Sequence, residues 1–202
     1  RRDDAAALVP LVYASGPAAF DYVFAQGRRR AEDFLSYALA DGRGLMGWPQ
    51  HHVAVFGGEV VACVALFGGG ESAQLSQATL GQYFRFYAPW TALRVLRRAL
   101  QLGNMQPPPQ VQALYIAHLS VAGHWRGRRI GTQLVAHALR VAAVRGHSFC
   151  ALDVARDNTV AQALYAAQGF RFVAERAVFA GRHAIQPSRR LQRAVDPELN
   201  LR

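Results

Sequence analysis

The chain has 202 residues, of which 51% are hydrophobic, and a formal net charge of +10. This composition excludes a disordered chain and predicts one globular domain with a large core. All 23 basic residues are arginine, which indicates either GC-rich codon usage or attraction to an anionic ligand. We expect a cytoplasmic protein without a bound metal, because there is no membrane-length apolar run, signal-peptide pattern or metal-ligand spacing. Cys63 and Cys150 lie in apolar runs and are expected to pack as small hydrophobic residues.

The first 67 residues predict a strand, two helices and a β-hairpin. Residues 8–13 favour a strand, and Ser15 is a candidate N-cap for a helix with Pro17 in its first turn. A second helix is expected at 29–39, ended by the glycines of residues 41–44. Gly57 and Gly58 separate two apolar runs, which predicts hairpin strands at 52–56 and 60–67.

Two neighbouring histidines precede the hairpin. Side chains alternate along a strand, so His51 and His52 should point to opposite faces and cannot chelate one metal together. We interpret them as strand-edge residues.

Residues 71–110 predict a helical insertion. Two helices are expected, broken at Pro89, and the stiff run Pro107–Pro109 then returns the chain to the sheet. Tyr83, Tyr87 and Trp90 fall at i, i+4 and i+7, which makes one aromatic stripe. Such a stripe is typical of core packing, and the alternative is that it walls a substrate pocket.

The strongest pattern runs from Leu114 to Gly146. It combines an eight-residue apolar strand, a basic loop with glycines, and an amphipathic helix that should end at Gly146. The first N–H groups of a helix have no partner within it, and the helix dipole favours anions there. The loop and helix start therefore form a candidate phosphate site, unless this is a basic turn that binds nothing. Its residues are Arg126, Gly127, Arg128, Arg129, Ile130, Gly131 and Thr132.

The chain after Gly146 predicts a strand at 148–154, a helix at 158–168 and a final strand at 170–179. The remainder, from Gly181, is polar and has no clear periodicity, so we expect a surface extension. Strands and helices connected by right-handed crossovers predict a three-layer α/β sandwich.

The basic loop resembles motif A of the GNAT N-acetyltransferases, (Arg/Gln)-x-x-Gly-x-(Gly/Ala). Arg126 and Gly131 match the first and last positions, whereas Arg129 replaces the internal glycine. That replacement bears on how closely the loop can approach a pyrophosphate, although an arginine could contact the phosphate directly.

The next strand and helix, LDVARDNTVAQALYAAQGF at 152–170, resemble the segment that follows motif A in the same family. They are closest to the ribosomal-protein alanine N-acetyltransferases, in which a carboxylate precedes a tyrosine by twelve residues. Asp153 and Tyr165 have that spacing. The resemblance extends over roughly residues 50–180.

This resemblance implies a three-layer α/β/α sandwich with a mixed, mostly antiparallel sheet. The acetyltransferase domain would span residues 1–180, with the helical insertion at 71–110 and a C-terminal extension at 181–202. It also implies acetyl-CoA as cosubstrate, bound by the loop of residues 126–132, by the backbone of Leu119 and Val121, and by Asn158. Asn158 is also a good helix N-cap, and the two roles are compatible.

The resemblance implies that Tyr165 is the general acid that protonates the leaving thiolate, the alternative being a tyrosine that only packs. Two residues are candidates for the base. Asp153 could act through a water, and His118 carries an imidazole that titrates near neutral pH. Alternation with Leu119, however, could point His118 away from the cleft.

We therefore expect an acetyl-CoA-dependent N-acetyltransferase that transfers the acetyl group directly to a primary amine. The acceptor could be a protein N-terminus, a lysine or a small amine. The alternative is a non-catalytic acyl-CoA-binding or RNA-associated module on the same fold. Coenzyme A is the expected partner, nucleic acid and membrane are not, and the protein should be a monomer or homodimer.

Overall fold

The computed structural model describes residues 2–177 and 185–196, a part of the chain with seven α-helices and six β-strands. The helices are α1 (Ala5–Ala14), α2 (Pro17–Phe24), α3 (Ala31–Asp41), α4 (Ser72–Phe86), α5 (Pro89–Met105), α6 (Ile130–Val144) and α7 (Thr159–Ala167). The strands are β1 (His51–Phe56), β2 (Glu59–Gly68), β3 (Ala113–Val121), β4 (Phe149–Ala155), β5 (Arg171–Arg176) and β6 (Ser188–Ala194).

The six strands form one sheet in the order β1-β2-β3-β4-β6-β5. Among the strands of the described residues, only β3 and β4 pair in parallel, and the four other pairings are antiparallel. The prediction of a mixed, mostly antiparallel sheet is confirmed. Among the described residues, no single helix is long and apolar enough to span a membrane, although α1 and α2 together, bent by 107°, meet that test of length and composition.

Each face of the sheet has its own hydrophobic core. The first core packs α1 to α5 together, around fully buried residues such as Phe34 and Leu35. The second packs α6 and α7 against β2, β3 and β4, around residues such as Val135 and Leu152. Helices on both faces of one sheet make the three-layer α/β/α sandwich that was predicted.

The prediction of a strand at residues 8–13 is wrong, because this segment is helix α1. Leu8, Leu11 and Val12 are buried on one side of it, at the i, i+3, i+4 spacing of a helix. A short apolar run fits either structure, and packing against α3 decides here. Ser15 does not cap α2 either, because its hydroxyl donates to the carbonyl of Val12 at the end of α1.

The other elements up to residue 170 follow the sequence pattern closely. The hairpin is present, and α4 and α5 are separated at Pro89 as predicted. Gly146 has a left-handed backbone (φ +71°) directly after the cap of α6. Asn158 caps α7, since its side-chain oxygen accepts from the N–H of Ala161.

The C-terminal segment differs most from expectation. Residues 188–194 are not a surface extension but strand β6, which lies between β4 and β5. Strand β5 is therefore an edge strand and not the last in the chain, and residues 178–179 of its predicted range lie outside the described residues. The segment has a polar sequence, yet it enters the sheet: Arg190 is only 6% exposed, and its charge is paired with that of Asp153.

Candidate active site

The parallel strands β3 and β4 separate partway along their length. They pair from Ala113 and Phe149 as far as Ile116 and Leu152. Beyond that point β3 continues to Val121 and β4 to Ala155, and no pairing joins the two strands in the described residues. The result is a wedge in the middle of the sheet. Leu119 and Val121, predicted to pair with the coenzyme through their backbone, lie in this open stretch of β3.

A β-bulge redirects His118 at the wedge. Cys63 of β2 faces Ser120 and Ala65 faces Ala117, so the single residue between them opposes both His118 and Leu119. His118 takes up the extra residue with a left-handed backbone (φ +50°). The bulge breaks the alternation, so that His118 faces the α1–α5 side while Leu119 packs into the other core.

The wedge opens on that side into a cavity of about 580 Å³, which we call the central pocket. Helices α2, α4 and α5 and the Pro107–Pro109 connector form its walls. Tyr115, Ala117, His118 and Asp153 from the sheet form its floor. The insertion at 71–110 thus lines the pocket, and Tyr83 of the aromatic stripe is both a core and a pocket residue. Trp90 is 82% exposed and does not belong to the stripe's buried side.

His118 is held by a second histidine. Its Nδ1 lies 3.2 Å from Nε2 of His51, and the two rings stack with centroids 5.4 Å apart. Nδ1 of His51 lies 3.0 Å from the carbonyl oxygen of Gly47. A carbonyl only accepts, so His51 carries its proton on Nδ1 and accepts at Nε2 from His118. His118 is then left with an unprotonated Nε2, which has no partner among the described residues and is not sealed from solvent.

Burial keeps both histidines neutral. It lowers the pKa of His51 to about 4, against a smaller opposing effect of the Gly47 carbonyl. It lowers the pKa of His118 to about 3, helped by the neighbouring His51. His118 is one of the residues that line the central pocket. At neutral pH His118 is therefore neutral and has a free lone pair. The expectation that it titrates near neutral pH is wrong, because burial lowers its pKa and makes it a weaker base than a free imidazole.

Asp153, the other candidate base, is already fully engaged. Its side chain is 2% exposed, and its Oδ2 lies 2.6 Å from both Nη2 of Arg190 and the hydroxyl of Tyr115. Nε of Arg190 lies 3.0 Å from each carboxylate oxygen. The same Nη2 of Arg190 also donates to the carbonyl of Pro107. This geometry argues for Asp153 as an anchor that ties β4, β6, Tyr115 and the connector together.

The basic loop after β3 leaves its backbone donors free. The first backbone hydrogen bond at the start of α6 runs from Gln133 to the carbonyl of Arg129. Within the described residues, none of the six amides from Gly127 to Thr132 has a backbone acceptor. Left-handed residues at Gly127 (φ +76°) and Arg129 (φ +60°) curl the loop. Consecutive free amides at a helix N-terminus make an anion-binding concavity.

The left-handed backbone at position 129 explains why a glycine would suit it, since a residue with a Cβ is strained in that conformation. Arg129 adopts this conformation nonetheless. Arg126 donates to the carbonyl of Val121, and the guanidinium of Arg128 stacks 4.5 Å from the ring centre of Trp125.

Gly131 lies against α7, where an added Cβ would come 3.3 Å from a methyl group of Leu164. Loop and α7 are therefore in close contact.

Tyr165 lies on α7, in the core on the opposite side of the sheet from the central pocket. It is 6% exposed and packs against Phe170 at 5.8 Å between ring centres. Its hydroxyl has no hydrogen-bond partner among the described residues, and its oxygen is not fully buried. Burial raises its pKa to about 12, so the hydroxyl stays protonated at neutral pH.

A second cavity, of about 660 Å³, lies beside α1 and includes Arg126 and the end of β3. Asp3, Asp4 and Glu59 contribute to its walls, but neither His118 nor Asp153 does. It borders the basic loop and is separate from the central pocket.

The sequence analysis did not predict the roles of three residues: His51 as a partner of His118, and Tyr115 and Arg190 as partners of Asp153. The neighbouring histidines at 51 and 52 were a signal, but only the sheet register shows which of them meets His118. Arg190 gave no signal, because its segment reads as a polar tail.

The mixed sheet, the wedge with a free helix N-terminus beside it and the adjoining pocket define an acyl-transferring enzyme of α/β type. The chain belongs to the acetyltransferase (GNAT) family, whose model matches residues 18–170. The predicted resemblance is confirmed, and the protein is an acetyltransferase by class.

Solved structures share this fold at low sequence identity. An N-acetyltransferase from Staphylococcus aureus Mu50 has a TM-score of 0.68 and 17% identity, over 95% of this chain and 96% of that one. A ribosomal-protein-alanine N-acetyltransferase from Brucella melitensis has 0.55 and 16%, over 96% of each chain. An agmatine N-acetyltransferase has 0.57 and 16%, also over 96% of each. No protein of curated function matches the sequence significantly.

Proposed function

We propose that the protein is an acetyl-CoA-dependent N-acetyltransferase that moves the acetyl group directly to a primary amine. The observation that carries this proposal is the alignment of three features: the free amides at 127–132, the wedge between β3 and β4, and the central pocket. A phosphate-bearing cosubstrate can bind at the first, extend through the second and present its acetyl group to the third.

Coenzyme A suits the loop for electrostatic and geometric reasons. Its pyrophosphate carries the negative charge that the helix dipole, the six free amides and Arg126, Arg128 and Arg129 favour. The extended pantetheine arm has amide groups that can pair with the unpaired backbone at Leu119 and Val121, as an added strand would. Asn158 caps α7 through its side-chain oxygen, and we propose that it also contacts the coenzyme.

His118 is the base that the geometry favours. In acetyl transfer the amine nitrogen attacks the thioester carbon, a C–N bond forms, and the C–S bond breaks. The attacking nitrogen must lose a proton. His118 lines the central pocket, and its Nε2 is the ring nitrogen not engaged by His51, so it can accept that proton. Asp153 would have to give up its bonds to Arg190 and Tyr115 to do the same.

Tyr165 is the proposed acid. The departing thiolate takes up one proton, so the overall reaction balances the proton that the amine loses. The hydroxyl is unpaired and protonated at neutral pH, and α7 contacts the loop that would hold the coenzyme. These features support the role that the family resemblance implies.

The test is a purified-protein assay of thiol release from acetyl-CoA with mixed primary amines, with mass analysis of the acetylated product. We expect amine-dependent thiol release and coenzyme A binding that weakens with added salt. Binding without transfer to any amine would contradict the catalytic proposal and favour an acyl-CoA-binding module.

A further inference from the structure

The walls of the central pocket are predominantly apolar. Phe20 and Val23 of α2, Leu80 of α4 and Leu96 of α5 face it, together with Met46 from the α3–β1 connection. Its volume of about 580 Å³ lies within the range of small-molecule sites. A ligand that buries hydrocarbon there gains affinity in proportion to the apolar area it removes from water.

Several polar side chains that line the pocket are already satisfied by the protein. The hydroxyl of Ser72 donates to the carbonyl of Gly69, and that of Thr79 to the carbonyl of Leu75. The hydroxyl of Tyr115 donates to Asp153. Ser76, Asn104 and Gln106 also line the pocket, and their side chains have no hydrogen-bond partner among the described residues. These three are neutral, so they can pair with a polar group but offer no counter-charge to a cation.

Asp153 is the one ionisable carboxylate among the described residues that line the pocket, and no arginine lines it. Its charge is neutralised by Arg190 at 2.6 Å, with both oxygens engaged. A cationic tail such as a guanidinium or a second ammonium would therefore enter an apolar cavity without a counter-charge. The attacking amine itself meets the same environment, which disfavours its protonated form.

We infer that the central pocket selects small apolar primary amines, alkyl or arylalkyl, and binds them as the neutral base. This inference rests on the proposed acetyltransferase function and specifies its acceptor. The neutral amine attacks the thioester carbon, passes one proton to Nε2 of His118, and leaves as the apolar amide while the thiolate is protonated.

The experiment measures kcat/KM of the full chain with saturating acetyl-CoA and a matched amine series. The arms are n-butylamine, n-pentylamine, n-hexylamine, 2-phenylethylamine, 1,5-diaminopentane, agmatine and a short alanyl peptide. We expect a gain of about fourfold for each added methylene, since a buried methylene is worth about 0.8 kcal/mol. n-Hexylamine should exceed 1,5-diaminopentane, of similar length, by about tenfold or more, because the second charge must be desolvated.

A variant pair on one helix tests whether the pocket causes this preference. Leu96→Asp places a carboxylate in the pocket wall, and it should shift the preference toward 1,5-diaminopentane and agmatine by about tenfold or more. Leu93→Asp makes the same change on the exposed face of α5, where Leu93 is 46% exposed, and should leave the preference unchanged. If Leu96→Asp does not fold, Leu100→Asp at the pocket mouth, where Leu100 is 62% exposed, replaces it.

Two results overturn the inference in distinguishable ways. Measurable coenzyme A binding together with a preference for agmatine, the diamine or the alanyl peptide would refute the apolar acceptor class alone and leave the acetyltransferase proposal intact. Absence of coenzyme A binding by calorimetry would refute both.

Discussion

Nε2 of His51 accepts a hydrogen bond from Nδ1 of His118 across 3.2 Å, although the two residues are 67 positions apart in the chain. Because Gly47 fixes the proton of His51 on Nδ1, this contact also fixes the tautomer of His118. His51 is thus a positioning residue for the proposed base.

We predict that His51→Phe lowers kcat by about tenfold or more with little change in the acceptor KM, because His118 loses the partner that orients its free nitrogen. His118→Ala should cost about 10²–10⁴-fold, the usual contribution of a general base. His51→Gln, whose side-chain oxygen can accept from His118, should recover part of the loss. The matched control is His52→Phe, next in the chain on the opposite face, where His52 pairs with His137 at 3.0 Å. Equal losses in the His51 and His52 variants would contradict the positioning role.

The same histidine pair makes stability depend on pH. Both residues titrate near 6.5 when unfolded, but burial lowers their pKa values to about 4 and about 3 in the folded state. Below pH 6.5 these two histidines bind protons in the unfolded chain but stay neutral in the folded chain. The free energy of unfolding therefore falls as pH decreases. This pair should contribute a slope that approaches about 2.7 kcal/mol per pH unit, from two protons at about 1.36 each. His52 and His137, whose pKa values burial also lowers, add to the total slope.

Denaturant unfolding between pH 6.5 and 5 measures this slope, and the difference between the wild type and the double variant His51→Gln/His118→Asn removes the small contribution of carboxylates near pH 5. The double variant should show a much flatter dependence. A wild-type protein with constant stability over this range would rule out a neutral buried pair.

We predict that Gly131→Glu abolishes coenzyme A binding. The new side chain adds negative charge among the free amides and presses on Leu164, which an added Cβ already approaches to 3.3 Å. Arg140→Ala, on the exposed surface of α6, changes the net charge by the same single unit and should bind nearly normally. Calorimetry that shows unchanged affinity in Gly131→Glu would exclude the loop as the binding site.

We predict that Arg190→Met destabilises the protein by about 3–5 kcal/mol, because it leaves the buried carboxylate of Asp153 without its counter-charge. The neighbouring Arg189 forms a more exposed pair with Glu175, so Arg189→Met should change stability little. Denaturant unfolding of both variants makes the comparison. If Arg190→Met unfolds at the wild-type midpoint, strand β6 is not held by this ion pair.

We predict that Tyr165→Phe lowers kcat and kcat/KM together by about 10²–10⁴-fold, since proton donation to the thiolate matters in the transition state and not in binding. Acetyl-CoA affinity and the fold should persist, because the ring and its packing against Phe170 remain. Tyr37→Phe is the control, because Tyr37 lies on α3, partly buried against Phe34 and Phe86, and does not line the central pocket. Turnover at the wild-type rate in Tyr165→Phe would make Tyr165 a packing residue.

The sequence alone determined the secondary structure of those segments whose local sequence signals favour the same structure as their packing in the fold. The β3–loop–α6 unit, the hairpin, the break at Pro89 and the Asn158 cap all follow from periodicity, turn residues and capping, which are local effects. The family resemblance came from the same segments, as did the candidate residues at 126–132 and at 165.

Tertiary structure decided the features that depend on pairing between distant segments. Residues 8–13 became a helix because α3 covers their apolar side. Residues 188–194 became an interior strand, between β4 and β5, where Asp153 neutralises Arg190. Only the register between β2 and β3 created the bulge that turns His118 toward the central pocket. Strand register and buried ion pairs are set by contacts across the sheet, and no local pattern in the chain encodes them.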